Sequence, residues 1–259
     1  MNFTSDATVN GVRTRDFTVG DVPGVLWSGP EPGPLVLLGH GGGNDRHSPA
    51  MSGRAQRLVD GGFRAVSIDA PGHGGRPLTP VDERDRAIMA RAMAAGEPLG
   101  DIVGRYNADI ARRAVPEWRA VLDALDPGPV GYFGLNMGTA IGIPLIAAEP
   151  RIAAAVLGMF WPETVAATAR TITVPIEFDL QWDDENIPRE EGLALFDAFG
   201  SAEKSLHANS GRHKEVPRFE ADSAVRFFAR HLPVRPLSSA GPATVPQGSP
   251  TRGSRAIPQ

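Results

Sequence analysis

Apolar residues recur along this chain in short unbroken runs, and each run is followed by a stretch with the three-to-four-residue spacing of a helix. Leu35-Val36-Leu37-Leu38 is such a run, of the kind found in strands buried on both faces, and it ends in His40-Gly41-Gly42-Gly43. Residues 48–60 then put Met51, Ala55, Leu58 and Val59 on one helical face and stop at Gly61-Gly62. Residues 63–68, 130–135, 153–157, 175–180 and 205–208 read as further strands. Helices are predicted over 137–148, 189–199 and 217–231. Near the start, 15–19 and 24–27 form a hairpin pattern around Gly20-Asp21-Val22-Pro23. Strands alternating with helices predict an α/β fold with a mainly parallel sheet covered on both faces.

Two segments exceed the minimal alternation. Residues 81–104 hold an Ala/Met/Arg-rich helix ahead of a long helix from about 107 to 125. Residues 160–171 are more apolar than an ordinary connection. Both follow strands, so both are expected at the strand C-terminal ends, where open α/β sheets bind ligands. They read as roof and side wall of a pocket, with a cap insertion at about 78–106. Met89 and Met93, one helical turn apart, read first as the buried face of this cap helix. With Met159, Phe160 and Trp161 they are also candidates for an adaptable apolar substrate pocket. The folded domain is expected over 1–232. Residues 233–259 are rich in Pro, Ser and Gly without hydrophobic periodicity, which predicts a disordered tail.

Composition narrows the function classes. A net charge of −4 offers no basic footprint for nucleic acid. With no cysteine, disulfides, thiolate metal sites and a cysteine nucleophile are excluded. The six histidines show no metal-ligand spacing, so no metal is expected. No cofactor is expected either, because the glycine run at 41–43 lacks the Gly-Lys-Ser/Thr of a phosphate loop. The N-terminus lacks a signal-peptide pattern, and the longest apolar stretch, near 141–148, is too short to cross a membrane. A soluble cytoplasmic protein without membrane partners is the expectation.

The chemistry concentrates at three strand ends. The run 130–135 leads into Gly134-Leu135-Asn136-Met137-Gly138 and a small-residue helix. This is the strand–turn–helix setting of a nucleophile elbow, Gly-x-Ser-x-Gly, with Asn136 at the central position. A carboxamide does not replace an alkoxide as an attacking group. The strand at 175–180 leads to the acids Asp183 and Asp184, and the last strand leads to Gly211-Arg212-His213. Nucleophile position, acid, histidine is the chain order of the α/β-hydrolases. In these stretches, and in the turn Asp69-Ala70-Pro71-Gly72-His73-Gly74, the chain resembles the α/β-hydrolase superfamily, particularly its dienelactone-hydrolase-like esterases. The resemblance spans roughly residues 16–232. It implies an eight-stranded sheet, Asp184 as acid, His213 as base and carboxylic ester hydrolysis.

Gly42, with Gly41 as the neighbouring alternative, would supply one oxyanion-hole amide, and Met137 the second. Each such donor can contribute ~3 kcal/mol in a transition state. His73 reads as a turn residue shaping a strand end. Three readings of Asn136 follow. The chain is an ester hydrolase lacking its nucleophile, with a small-molecule ester or related apolar ligand as partner. Alternatively it is a non-hydrolytic protein that binds a small ligand or uses His213 as a general base. Deamidation of Asn136 to a nucleophilic aspartate ranks last, because the bulky Met137 slows it. No basic cluster near the cap selects an anionic substrate. Truncation after Leu232 should leave the melting temperature within about a degree of the full chain. A large drop would show that the tail packs on the domain.

Overall fold

The computed structural model describes residues 1–125 and 127–232, so the tail expected at 233–259 lies outside the described residues. Ten strands form one sheet: β1 (Asn2–Phe3), β2 (Ala7–Val9), β3 (Val12–Val19), β4 (Val22–Ser28), β5 (Leu35–Gly39), β6 (Arg64–Ile68), β7 (Val130–Gly134), β8 (Ile152–Gly158), β9 (Ile176–Gln181) and β10 (Lys204–Asn209). Their order is β1-β3-β4-β6-β5-β7-β8-β9-β10, with β2 also on β3. Pairing is antiparallel from β1 through β4 onto β6 and parallel from β6 to β10. The eight strands β3 to β10 form the expected mainly parallel sheet, and β1 and β2 are additions to it. Sequence reading passed over β2, although Asn10-Gly11 between β2 and β3 is a strong hairpin signal. Both residues have positive φ, 51° and 79°.

The helices are α1 (Pro49–Asp60), α2 (Pro80–Ala95), α3 (Gly100–Leu125), α4 (Met137–Ala148), α5 (Ala166–Ala169), α6 (Arg189–Ala198) and α7 (Phe219–His231). Helices α1 and α7 pack together on one face, and α3, α4, α5 and α6 line the other. The central strands require this two-sided cover, because β5 and β7 are buried at every residue. Among the described residues no helix is long and apolar enough to cross a membrane.

The long helix starts at Gly100, not near residue 107. The glycines at 100 and 104 lie within this helix and are contact points. A β-carbon at Gly100 would meet the Trp161 ring at 2.9 Å, and one at Gly104 would meet Thr164 at 3.0 Å. Packing against 160–165 therefore outweighs the helix cost of two glycines, ~1 kcal/mol each. Ahead of it, α2 is held at its N-terminus. The Thr79 hydroxyl accepts from the Asp82 amide at 3.2 Å, and the Asp82 carboxylate accepts from the Thr79 amide at 2.9 Å. Arg113 of α3 pairs with the same carboxylate at 2.6 Å. Burial works against the charge on Asp82, but these donors outweigh it and hold the group down at about 2.

Chain order reverses around β5, whose successor β6 lies on one side and β7 on the other. The crevice at such a reversal is where α/β sheets place ligands, and the loops after β5 and β7 flank it. Helix α4 crosses close behind. A β-carbon at Gly138 would stand 2.6 Å from the Gly39 carbonyl oxygen of β5, and one at Gly134 would stand 2.7 Å from Gly138. The buried Tyr132 hydroxyl donates to the Gly138 carbonyl at 2.6 Å, fixing the same approach. Gly138→Ala is expected to destabilise the domain by ~1–3 kcal/mol, as overpacking does. Urea denaturation reads this directly, and an unchanged midpoint would mean that α4 does not need this closeness.

Candidate active site

Asn136 sits between the end of β7 and the first residue of α4, with φ 57° and ψ −120°. A non-glycine residue there costs on the order of 1–3 kcal/mol, so its surroundings must hold it. They do so through hydrogen bonds from both sides. The Asn136 amide donates to the Gly158 carbonyl at 3.1 Å, and its carbonyl accepts from the Thr139 amide at 2.9 Å. The Thr139 hydroxyl accepts from the Gly158 amide at 2.9 Å and lies 2.8 Å from the Gly134 carbonyl oxygen. Thr139 thus ties the ends of β7 and β8 together beneath the turn.

The loops after β9 and β10 bring the acid and the histidine to the same point. His213 Nδ1 lies 2.7 Å from Asp184 Oδ2, and His213 Nε2 lies 2.5 Å from Asn136 Nδ2. An amide nitrogen only donates, so Nε2 is the acceptor and Nδ1 carries the proton toward Asp184. The second oxygen of Asp184 accepts from the backbone amides of Asn186 and Ile187 at 2.8 and 3.0 Å. Burial raises the Asp184 carboxyl, but the His213 hydrogen bond and these two amides outweigh it, leaving it below the ordinary carboxylate range. Asp183 is exposed and makes no such contact; its amide donates to the Gly211 carbonyl at 3.2 Å. His213 is itself anchored by its backbone amide, which donates to Glu185 at 2.9 Å.

The loop after β5 is set by a buried imidazole. His40 Nε2 accepts from the Ala70 amide at 3.0 Å, which leaves Nδ1 to donate to the Gly41 carbonyl at 3.0 Å. Burial depresses the charged form of His40, so the ring serves as a neutral strut. His73 packs beside it, 5.4 Å between ring centres, and burial drives it down to about 4. The Asp69 carboxylate, fully buried, accepts from the Arg46 amide at 2.9 Å. Gly41 and Gly42 line the same cavity as Asn136 and His213. Met137 is buried as the first residue of α4, a position whose amide has no acceptor within the helix.

That cavity has a volume of about 1000 Å³. Helix α1, the 41–44 loop, Phe133, Met159 and the segment from His213 to Ala221 form its walls. Of Met89, Met93, Met159, Phe160 and Trp161, expected to form an apolar pocket, only Met159 is among its lining residues. Met93 is 63% exposed on α2, while Phe160 and Trp161 are buried against each other and α3. Helical spacing read Met89 and Met93 as the buried face of α2; Met89 does pack against the core, but Met93 does not.

The walls instead carry Arg54, Arg57, Lys214 and Arg218, with Glu220 as the one acid. Sequence reading missed these cations because it looked for charge near the cap. The available signal was Arg54, three residues after Met51 and four before Leu58, on the inward side of α1. Its guanidinium lies 4.5 Å from the centre of the Phe133 ring. Burial lowers Arg54 to about 10, which leaves it charged at neutral pH.

No protein-family model matches the chain. Two Mycobacterium tuberculosis proteins named "Putative phosphoribosyl transferase" are 30% identical over 135 residues, 51% of this chain. The chain spans only about a quarter of those curated relatives, 26% of their length. Among solved structures, a cold-adapted esterase from an Arctic intertidal metagenomic library is 32% identical. In its PEG-bound form it superposes with a TM-score of 0.72, over 90% of this chain and 100% of the esterase. A zinc-bound form of that esterase matches with a TM-score of 0.67. A dienelactone hydrolase from Anabaena variabilis shares the fold at 18% identity, TM-score 0.61, covering 88% of this chain and 99% of that one. Strand order and an esterase matched along its whole length agree: the chain belongs to the α/β-hydrolase superfamily.

Proposed function

We propose that this chain carries an acyl-transfer site in which Asn136 occupies the nucleophile position, so that it hydrolyses carboxylic esters poorly as it stands. The observation that carries this reading is the unbroken relay Asp184–His213–Asn136, with Asn136 held on a positive-φ turn at the mouth of the cavity. In this reading Asp184 holds the imidazole tautomer, and His213 Nε2 is the base that would take a proton from an attacking hydroxyl. The amides of Gly42 and Met137 stabilise the tetrahedral oxyanion. The Asn136 amide fills the place of that hydroxyl but brings a delocalised nitrogen lone pair that does not attack.

The four cations in the cavity walls support an ester bearing an anionic group as the substrate class. The transferase name of the mycobacterial relatives is not carried over, because so little of their length is matched. A second reading, ligand binding without turnover, is favoured by one contact. The Asn136–His213 hydrogen bond occupies the nitrogen that a general base needs free.

Kinetics with short nitrophenyl esters separate the two. Asn136→Ser should raise kcat/KM by at least about 10³-fold, given that an intact nucleophile contributes on the order of 10⁶-fold. Adding His213→Ala should erase the gain. In the serine variant, KM should be lower for an ester with a free carboxylate than for a neutral ester of equal length. No activity in any variant, with ligand still bound in the cavity, would replace this reading with the second one.

The Asp184 shift gives a pH test. Its folded value lies below the ordinary 3.8, so the stability it contributes is full above that value and is lost as pH falls through the folded one. Stability measured by urea between pH 6 and pH 2 should therefore fall more steeply for the unsubstituted chain than for Asp184→Asn. Parallel curves would mean that the Asp184–His213 pair is not formed in solution.

A further inference from the structure

Behind the Asp184–His213 pair, β9 places two acids on one face of the sheet. Glu177 and Asp179 alternate with Ile176, Phe178 and Leu180, so both acids point toward α7. In register, Asp179 lies beside His207 of β10. Glu220, in the first turn of α7, closes the group from above. One donor atom from each of Glu177, Asp179, His207 and Glu220 lies within 4.8 Å of all the others.

The contacts within the group leave a gap at Asp179. His207 Nδ1 is 2.8 Å from Glu220 and 4.0 Å from Asp179, and His207 Nε2 is 3.6 Å from Glu177. Asn209 and Ser223 donate to Glu220 and Glu177 at 2.7 and 3.3 Å. Asp179 is 1% exposed, and neither of its carboxylate oxygens has a hydrogen-bond partner. The first oxygen of Glu177 is likewise buried and without a partner. A buried carboxylate left this way is costly, and one way to satisfy it is a cation between the acids.

We propose that Glu177, Asp179, His207 and Glu220 form a binding site for a divalent transition metal, with Zn²⁺ as the ion that suits them best. One imidazole nitrogen and three carboxylates are ligands of that borderline class. Tetrahedral bonds of ~2.0–2.2 Å put ligand atoms ~3.4 Å apart, so the widest pair in the group would close by up to about 1.4 Å. With the metal bound, three carboxylates, a dication and the nearby Arg54 would sum to zero around a neutral imidazole; without it, burial and the neighbouring acids push the Asp179 carboxyl up to about 8.

The site has a structural consequence for the neighbouring pair. β9 runs into the loop of Asp184, β10 runs into the loop of His213, and α7 follows that loop. A metal here would tie together the three elements that hold the acid and the histidine, with Glu220 shared between the site and the cavity wall. Sequence reading expected no metal because it sought histidine spacing within one segment, while these ligands come from three. The signal was present as two acids at alternate positions in an otherwise apolar strand.

The test uses the full chain treated with a chelator, then titrated with Zn²⁺ at neutral pH and read by calorimetry and by metal content after dialysis. One Zn²⁺ per chain is expected, with a rise in melting temperature. Asp179→Asn and His207→Gln should each weaken binding at least about tenfold and remove the rise. Without metal, Asp179→Asn should melt at or above the unsubstituted chain, because it replaces an unpartnered carboxyl by an amide. If that variant fails to fold, His207→Gln carries the comparison. Binding below one equivalent would overturn the proposal. So would one equivalent that survives both substitutions, or one lost only in His213→Ala, which would place the ion at the Asp184–His213 pair. None of these readouts depends on ester turnover.

Discussion

Helix α4 can lie against β5 only because Gly138 has no side chain. Its α-carbon packs where a methyl group would stand 2.6 Å from the Gly39 carbonyl oxygen. That single close approach forces the chain to turn within two residues of β7, which puts Asn136 at φ 57°. A residue so held projects from the sheet edge, and the strain is sustained by Thr139 below and Gly158 beside it. The rest of the site is arranged around this fixed point. Two loops from the far side of the sheet reach it with Asp184 and His213, and the loop after β5 reaches it with Gly41 and Gly42.

Electrostatics divide the molecule into parts that are neutral struts and parts that stay charged. His40 and His73 are buried imidazoles whose charged forms are suppressed, and their hydrogen bonds shape loops. Asp82 and Asp184 keep their charge because donors converge on them. The cavity beside His213 is cationic because α1 and the 213–218 segment both contribute basic groups. A protein with net charge −4 has therefore gathered positive charge at one opening, and that opening is where the proposed chemistry lies.

The fold was legible because β5 and β7 are continuous apolar runs ended by glycine-bearing turns, a pattern with few other solutions. Residues 137–148 were readable to the residue as a helix for the same reason. The misread parts were set by tertiary contact. The long helix was read from about residue 107, but it starts at Gly100, where Gly100 and Gly104 serve as contact points for Trp161 and Thr164. Asn136, Asp184 and His213 could be placed by chain order, because each ends a strand or follows one closely. The choice between Asp183 and Asp184 depends on which side chain faces the histidine, and only the backbone path after β9 decides that. The cavity lining was the least legible element. Arg54 and Arg218 are far apart in sequence, and no local pattern says that they share a wall.

The central claim is that position 136 is the point of attack and that only its side chain is missing. Intact-protein mass spectrometry of Asn136→Ser after treatment with an organophosphorus fluoride tests it most directly, because the reagent labels an activated serine in proportion to its nucleophilicity. The account predicts a single adduct that maps to position 136, absent from the chain with Asn136 and absent when His213→Ala is added. Labelling of the Asn136 chain to the same extent, or an adduct on another serine of the variant, would contradict it.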